Sequence, residues 1–227
     1  MQWVIGYWQI SIQRVFPTKE QLTQSYNTVA PSWHRLVQRF GYDHAYAKLF
    51  QSLQQEGILA HLQDDSTVCD CGIGTAAFSL ALAETLAFKP KIVGIDISPA
   101  MLNTAHQLLL QADVNHQVYQ SNVNTLPFND NTFDLVMAAH MLEHLPNPTL
   151  GLREMVRVLC PGAPLLLAVT HPGLLGTWIQ WHWGNRCFAS HELIKIMTNV
   201  GLTSINFYRF TVGLARWTSI ACLGFKK

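Results

Sequence analysis

Residues 68–78 read VCDCGIGTAAF, an acidic residue, two cysteines and two glycines between a short apolar run and a helical pattern. A backbone that bare at a strand-to-helix turn lets a ligand come close to main-chain N–H groups. Gly72-Ile73-Gly74-Thr75-Ala76-Ala77 fits G-x-G-x-x-G/A, the turn that opens a nucleotide-binding β-α unit. Asp96 follows 22 residues after Gly74 (96 − 74), at the end of the next apolar run, where a carboxylate suits ribose hydroxyls.

The pattern extends outward from this turn. KIVGID (91–96), HQVYQSN (116–122), FDLVMAA (133–139) and PLLLAV (164–169) read as strands. Between them lie helical segments, TAAFSLALAETLAF, one opened by SPAML, and LGLREMVRVL. Alternation of this kind predicts an α/β fold, a doubly wound, mostly parallel sheet with helices on both faces. Nearly unbroken apolar runs such as KIVGI and LLLAV suit strands covered on both sides. LTSINFYRF (202–210) and WTSIACLGF (217–225), separated by TVGLAR with Gly213 at the turn, predict a terminal antiparallel hairpin. SHELIKIMTNVGL reads as a helix capped by Ser190 and stopped by Gly201, and Ser98 with Pro99 reads as another helix start.

From Pro17 to about Gln63 the spacing is helical instead, through PTKEQLTQSYNTVA, HRLVQRF and YAKLFQSLQQEGILAHL. The expected organisation is an N-terminal helical cap or lid over 1–63 and a Rossmann-like core over 64–227. The apolar opening MQWVIGYWQISIQRVF is too short to span a bilayer and lacks a secretory n-region and cleavage site. It reads as a helix or strand packed on the core, or as a lid or weak membrane-surface contact.

Composition narrows the partners. Of 227 residues, 49% are hydrophobic and only 13% charged, and the net charge is +1 with no basic run. Nucleic acid is therefore not the expected partner. Ten histidines are scattered rather than set at metal-ligand spacing, so no metal site is expected. Cys69, Cys71, Cys160, Cys187 and Cys222 are odd in number and form no C-x-x-C pair, which suits free thiols in the cytoplasm. Cys69 and Cys71 share the strand face opposite Asp70 and read as core filler.

The glycine turn alone admits a nicotinamide dinucleotide as readily as another adenosine cofactor. Asp70, two residues before Gly72, argues against a diphosphate and for a cationic ligand, since its charge opposes an anion at the helix start. S-adenosyl-L-methionine offers adenosine for Asp96 and a sulfonium and ammonium for the field of Asp70. VCDCGIGTA, VGIDISPAML, LPFNDNTFDLVMAAHMLEHL and LREMVRVLCPG resemble, in order, the motifs of class I S-adenosylmethionine-dependent methyltransferases, closest to the ubiquinone/menaquinone biosynthesis group. The likeness is strong from Thr67 to Gly162.

The resemblance implies a seven-stranded sheet and a set of roles. Asp70, Gly72 and Gly74 line the methionine part of the cofactor, and Asp96 holds the ribose. Ile97 and Met101 pack near the adenine, where Asn122 and Val123 also stand. Ala139 and His140 edge the transfer site, and Tyr26 matches a lid tyrosine. Two positions depart from the family: Ala76 replaces a third glycine, and Asn122 replaces an aspartate. Glu143 and His144 are expected to orient their loop by hydrogen bonding. His140, His171 and His182 are candidate bases, because histidine titrates near neutral pH. Trp178, Trp181 and Trp183, with His171 and His182, are expected to form an acceptor pocket, or else a hydrophobic flap or dimer contact. The expected reaction is in-line methyl transfer to a small apolar or aromatic acceptor by a monomer or homodimer. A nicotinamide-dependent oxidoreductase and a non-catalytic S-adenosylmethionine-binding protein are the alternatives.

Overall fold

The computed structural model describes residues 2–5, 8–11, 18–173, 175 and 186–227. Within the apolar opening, β1 (Gln2–Ile5) and β2 (Trp8–Ser11) are strands that pair antiparallel as a two-stranded sheet of their own. Helix α1 (Lys19–Arg39) starts in a capping box, with Gln21 N–H donating to Thr18 Oγ1 at 3.3 Å and the Gln21 side chain accepting from Thr18 N–H at 2.9 Å. Such a cap contributes about 1 kcal/mol. Helix α2 (Tyr42–Gln55) buries Ala45, Tyr46, Leu49, Phe50 and Leu53, the one-sided stripe that its sequence spacing dictates.

The core then alternates. β3 (Thr67–Cys71), α3 (Ala77–Thr85), β4 (Lys91–Asp96), α4 (Pro99–Gln111) and β5 (His116–Gln120) form its first half. β6 (Leu135–Ala139), α5 (Pro148–Val158), β7 (Pro164–Thr170), α6 (Ser190–Asn199), β8 (Leu202–Arg209), α7 (Ala215–Thr218) and β9 (Ser219–Lys226) form its second. The sheet has seven strands in the order β5-β4-β3-β6-β7-β9-β8. The first five are mutually parallel, and β9 runs antiparallel to both β7 and β8.

Burial explains the unbroken apolar runs. Every residue of β7 is buried, because alternate side chains enter two separate cores. Val68, Ile92, Met137 and Leu166 face the core beneath α2, α3 and α4. Cys69, Cys71, Val136 and Leu167 face the core beneath α5 and α6. The cysteine Sγ atoms lie 3.7 Å apart in that second core, which agrees with packing rather than chemistry.

Two local expectations need correction. Ser190 is the first helical residue of α6, not its cap; Ala189 occupies the cap position and makes no side-chain cap bond. The helix start is tied instead by an ion pair between Arg186 and Glu192. The β8–β9 connection is also not a tight turn, since α7 intervenes. Gly213 serves another purpose there: its φ is +65°, and an added Cβ would fall 2.3 Å from the Gly41 carbonyl oxygen. That close approach docks the α1–α2 turn onto the hairpin, where Leu214 N–H donates to Phe40 O at 2.9 Å.

Candidate functional site

From β3 the chain winds one way to β4 and β5, then crosses back to place β6 on the other side of β3. The carboxyl ends of β3 and β6 therefore flank the switch point, where open α/β sheets leave a ligand crevice. The glycine turn closes its floor. Gly72 and Ile73 N–H both donate to Ile95 O, at 2.7 and 2.9 Å, folding the turn across the tip of β4. Gly72 has φ +76°, and a Cβ there would lie 2.4 Å from Met141 Cγ. Glycine at this position is what lets the tips of β3 and β6 approach.

Asp70 is 1% exposed and accepts from Ser79 Oγ at 2.6 Å through Oδ2, while its Oδ1 is buried with no partner among the described residues. Burial, together with the charge of Asp96, pushes the carboxyl up to about 7 against the pull of the Ser79 hydrogen bonds. Near neutral pH the group is therefore only partly ionised. A cationic ligand would draw it into the charged form. Among the described residues, no lysine or arginine forms a hydrogen bond or ion pair with it. The orphaned Oδ1, with the unpartnered Thr75 Oγ1 on the same turn, fits an ammonium-bearing ligand.

Asp96 sits across the turn. Its Oδ2 accepts from Gly74 N–H at 3.0 Å and its Oδ1 from Ser98 N–H at 2.9 Å. Burial raises this carboxyl, offset by those N–H groups and that of Ile97. Each oxygen keeps lone-pair capacity for a hydroxyl donor. Ile97 is half-buried beside it, and Met101 is fully buried with its N–H on Ser98 Oγ at 3.1 Å. Val123 is buried in the second core. Asn122 Oδ1 accepts from Asn124 N–H at 2.9 Å, so the oxygen expected to meet adenine is already shared with its own turn. Ala76 caps α3 with a left-handed φ of +65° and is fully buried, so its methyl lies in the core instead of the crevice.

On the β6 side, Ala139 is half-buried and His140 has φ +53°. The backbone N–H of His140 is pinned to Ala168 O at 2.8 Å. His140 Nδ1 lies 3.0 Å from Oε1 of the fully buried Glu143, which also accepts from Thr170 N–H at 2.6 Å and Thr170 Oγ1 at 2.9 Å. Burial alone would raise the Glu143 carboxyl. The His140 hydrogen bond and charge, the His144 charge and the Thr170 N–H outweigh it and hold Glu143 below the usual range.

The N-terminal helix reaches over both sides. The Tyr26 hydroxyl is 2.7 Å from His144 Nε2, and Asn27 Oδ1 accepts from Ser98 Oγ at 2.7 Å. Burial and the charges of Asp96 and Glu143 push the Tyr26 hydroxyl up, so it stays a phenol between two carboxylates. His171 follows β7, with its backbone N–H on Thr218 O at 2.8 Å. His182, Trp178, Trp181 and Trp183 lie outside the described residues. No group of three metal-ligating side chains occurs among the described residues, and no helix there is long and apolar enough to cross a membrane.

Ser79, Asn27 and Thr170 escaped the sequence reading. Each meets its partner through tertiary contact, and no local spacing marks it.

A family model described as a methyltransferase domain matches residues 69–167. The demethylmenaquinone methyltransferase of Lactiplantibacillus plantarum is 30% identical over 222 residues, covering 84% of this chain and 91% of its own. Among solved structures, magnesium protoporphyrin IX methyltransferase from Synechocystis PCC 6803 with bound SAH has a TM-score of 0.73 at 18% identity, covering 92% of this chain and 99% of its own. The cyclase SpnF has the same TM-score and identity, covering 93% of this chain and 97% of its own. A cyclase on this fold shows that shape alone does not dictate methyl transfer; the sequence relationship does. The chain belongs to the class I S-adenosylmethionine-dependent methyltransferases. Within that class it stands near the menaquinone-type group, and the nicotinamide and non-catalytic alternatives fall away.

Proposed function

We propose that this cytoplasmic enzyme methylates a small aromatic acceptor of the prenylated hydroquinone kind. The observation that carries the reading is the reach of the similarity to the demethylmenaquinone methyltransferase, which spans 84% of the chain and so includes material outside the glycine-turn core. A chain with 13% charged and 11% aromatic residues also suits an apolar ring better than a protein or nucleic acid.

S-adenosylmethionine supplies a methyl group already activated by a cationic sulfur. The chain's own work is positioning and exclusion of water. Asp70 Oδ1 would receive the ligand's positive end and Asp96 its ribose hydroxyls, with Gly72 and Gly74 giving close backbone approach. Residues 1–63 act as a cap over a core of 64–227, latched through Tyr26–His144 and Asn27–Ser98. The N-terminal ribbon would meet a membrane surface from which a prenylated ring is drawn, and the enzyme works as a monomer or homodimer.

The test is methyl transfer from labelled S-adenosylmethionine to a reduced, prenylated, ring-unsubstituted naphthohydroquinone, beside its oxidised form, a simple amine and a porphyrin carboxylate. Label entering only the reduced ring supports the proposal. Label entering only the amine or the carboxylate overturns it.

A further inference from the structure

The proposed acceptor carries a proton that must leave, and the β6 tip holds a group built to take it. Glu143 Oε1 already accepts from Thr170 N–H and Thr170 Oγ1, so in the neutral-imidazole form the hydrogen between it and His140 sits on His140 Nδ1. Nε2 is then left with its lone pair. That atom has one protein neighbour among the described residues, Ser219 Oγ at 3.4 Å, a weak contact that an acceptor hydroxyl can replace. Thr170 holds the carboxylate with two hydrogen bonds to the same Oε1, its Oγ1 also lying 3.4 Å from His140 Nδ1. The left-handed backbone of His140 and its N–H bond to Ala168 fix where the ring leaves the strand tip. Tyr42, from α2, meets the imidazole edge-on with centroids 5.5 Å apart, and its hydroxyl is bound to Thr218 Oγ1 at 3.0 Å. The side chain of His140 remains 23% exposed, so a proton taken there can pass to solvent.

Resting on the hydroquinone reading, we infer that His140 Nε2 is the general base for the acceptor hydroxyl and that Glu143 is the residue that positions and charges it. As the ring O–H bond breaks, its proton goes to Nε2 and its electron pair raises the nucleophilicity of the ring. The ring then forms a bond to the methyl carbon while the carbon–sulfur bond breaks, its pair returning to sulfur as S-adenosylhomocysteine. At a ring carbon, loss of the displaced ring proton restores aromaticity and the hydroxyl is reprotonated, so one proton is released per transfer. Around the dyad, His144 stands on its own loop and Tyr46 on α2, its hydroxyl raised well above the usual range by burial; the two other tyrosines are Tyr42 from α2 and Tyr26 from α1. Burial raises both tyrosines, so neither competes as a base near neutral pH.

The test combines turnover with a direct view of the ring. His140→Gly suits the left-handed backbone and should fold; it is expected to lower kcat by about a hundredfold or more. S-adenosylmethionine affinity should stay within about twofold, and added imidazole should restore part of the rate. In Glu143→Gln kcat should fall by about tenfold or more, with S-adenosylmethionine affinity again within about twofold. A rate within about threefold of wild type in either His140→Gly or Glu143→Gln overturns the assignment. Nitrogen NMR of the imidazole gives a readout that needs no acceptor. Wild type is expected as the Nδ1–H tautomer, and an Nε2–H tautomer overturns the dyad. Should wild type turn over no hydroquinone, the acceptor proposal fails while the NMR result still decides the dyad.

Discussion

Replacing Asp70 by asparagine should make the ligand-free protein more resistant to unfolding at high pH and worse at holding its cofactor. The folded carboxyl stands near 7 against an ordinary value of 3.8, chiefly because it is buried. A carboxyl raised in the folded state favours folding fully only below its unfolded value, and that contribution is lost as pH rises through the folded value. Three pH units at about 1.4 kcal/mol each set a ceiling of about 4 kcal/mol well above pH 7. Between pH 5 and pH 8 the change from this one group is about 2–3 kcal/mol. Asparagine keeps an acceptor for Ser79 Oγ and cannot ionise, so it lacks this pH dependence. Against that, its amide hydrogens are buried where Oδ1 now has no partner, a cost of about 1–3 kcal/mol that does not vary with pH. Urea unfolding of both proteins at pH 5 and pH 8 isolates the effect, because titrating groups that do not interact with Asp70 cancel in the double difference. The stability of Asp70→Asn relative to wild type should rise by about 2–3 kcal/mol between the two pH values. Parallel pH profiles would refute the buried, raised carboxyl.

Three further outcomes follow from the same geometry. Gly72→Ala should destabilise by about 2–4 kcal/mol, from left-handed strain plus collision with Met141, and a midpoint corresponding to less than about 1 kcal/mol would contradict the close approach. Asp96→Ala should weaken S-adenosylmethionine binding by about 1–3 kcal/mol, read by calorimetry; unchanged affinity would remove the ribose contact. Asn27→Ala deletes the acceptor for Ser98 Oγ, and stopped-flow release of S-adenosylhomocysteine should speed up by about two- to tenfold; an unchanged rate would mean that this latch does not gate the crevice.

The sheet was readable because its central strands are buried on both faces, which writes apolar runs such as KIVGI and LLLAV directly into the chain. Ser98 was equally readable as a cap, since capping is a local matter of residue type and position. Ser190 misled for the same reason: the residue type suits a cap, but the chain enters the helix one residue earlier. Asp70 stood out as a candidate from its place before the glycine turn, but its raised proton affinity did not, because that comes from burial and from the charge of Asp96 across the turn, against the pull of Ser79. Glu143 gathers its partners from His140 three residues back and Thr170 twenty-seven residues on, and only the parallel pairing of β6 with β7 brings them together.

The central claim is that the crevice between β3 and β6 takes a cationic adenosine cofactor by recruiting the charge of Asp70. Calorimetric titration of the wild-type chain with S-adenosylmethionine and with NADH, at pH 6 and pH 8, tests it most directly. S-adenosylmethionine should bind up to about tenfold more tightly at pH 8, as Asp70 ionises through about 7, and NADH should give no binding heat. NADH binding as tightly as S-adenosylmethionine, or a cofactor affinity indifferent to pH, would contradict it.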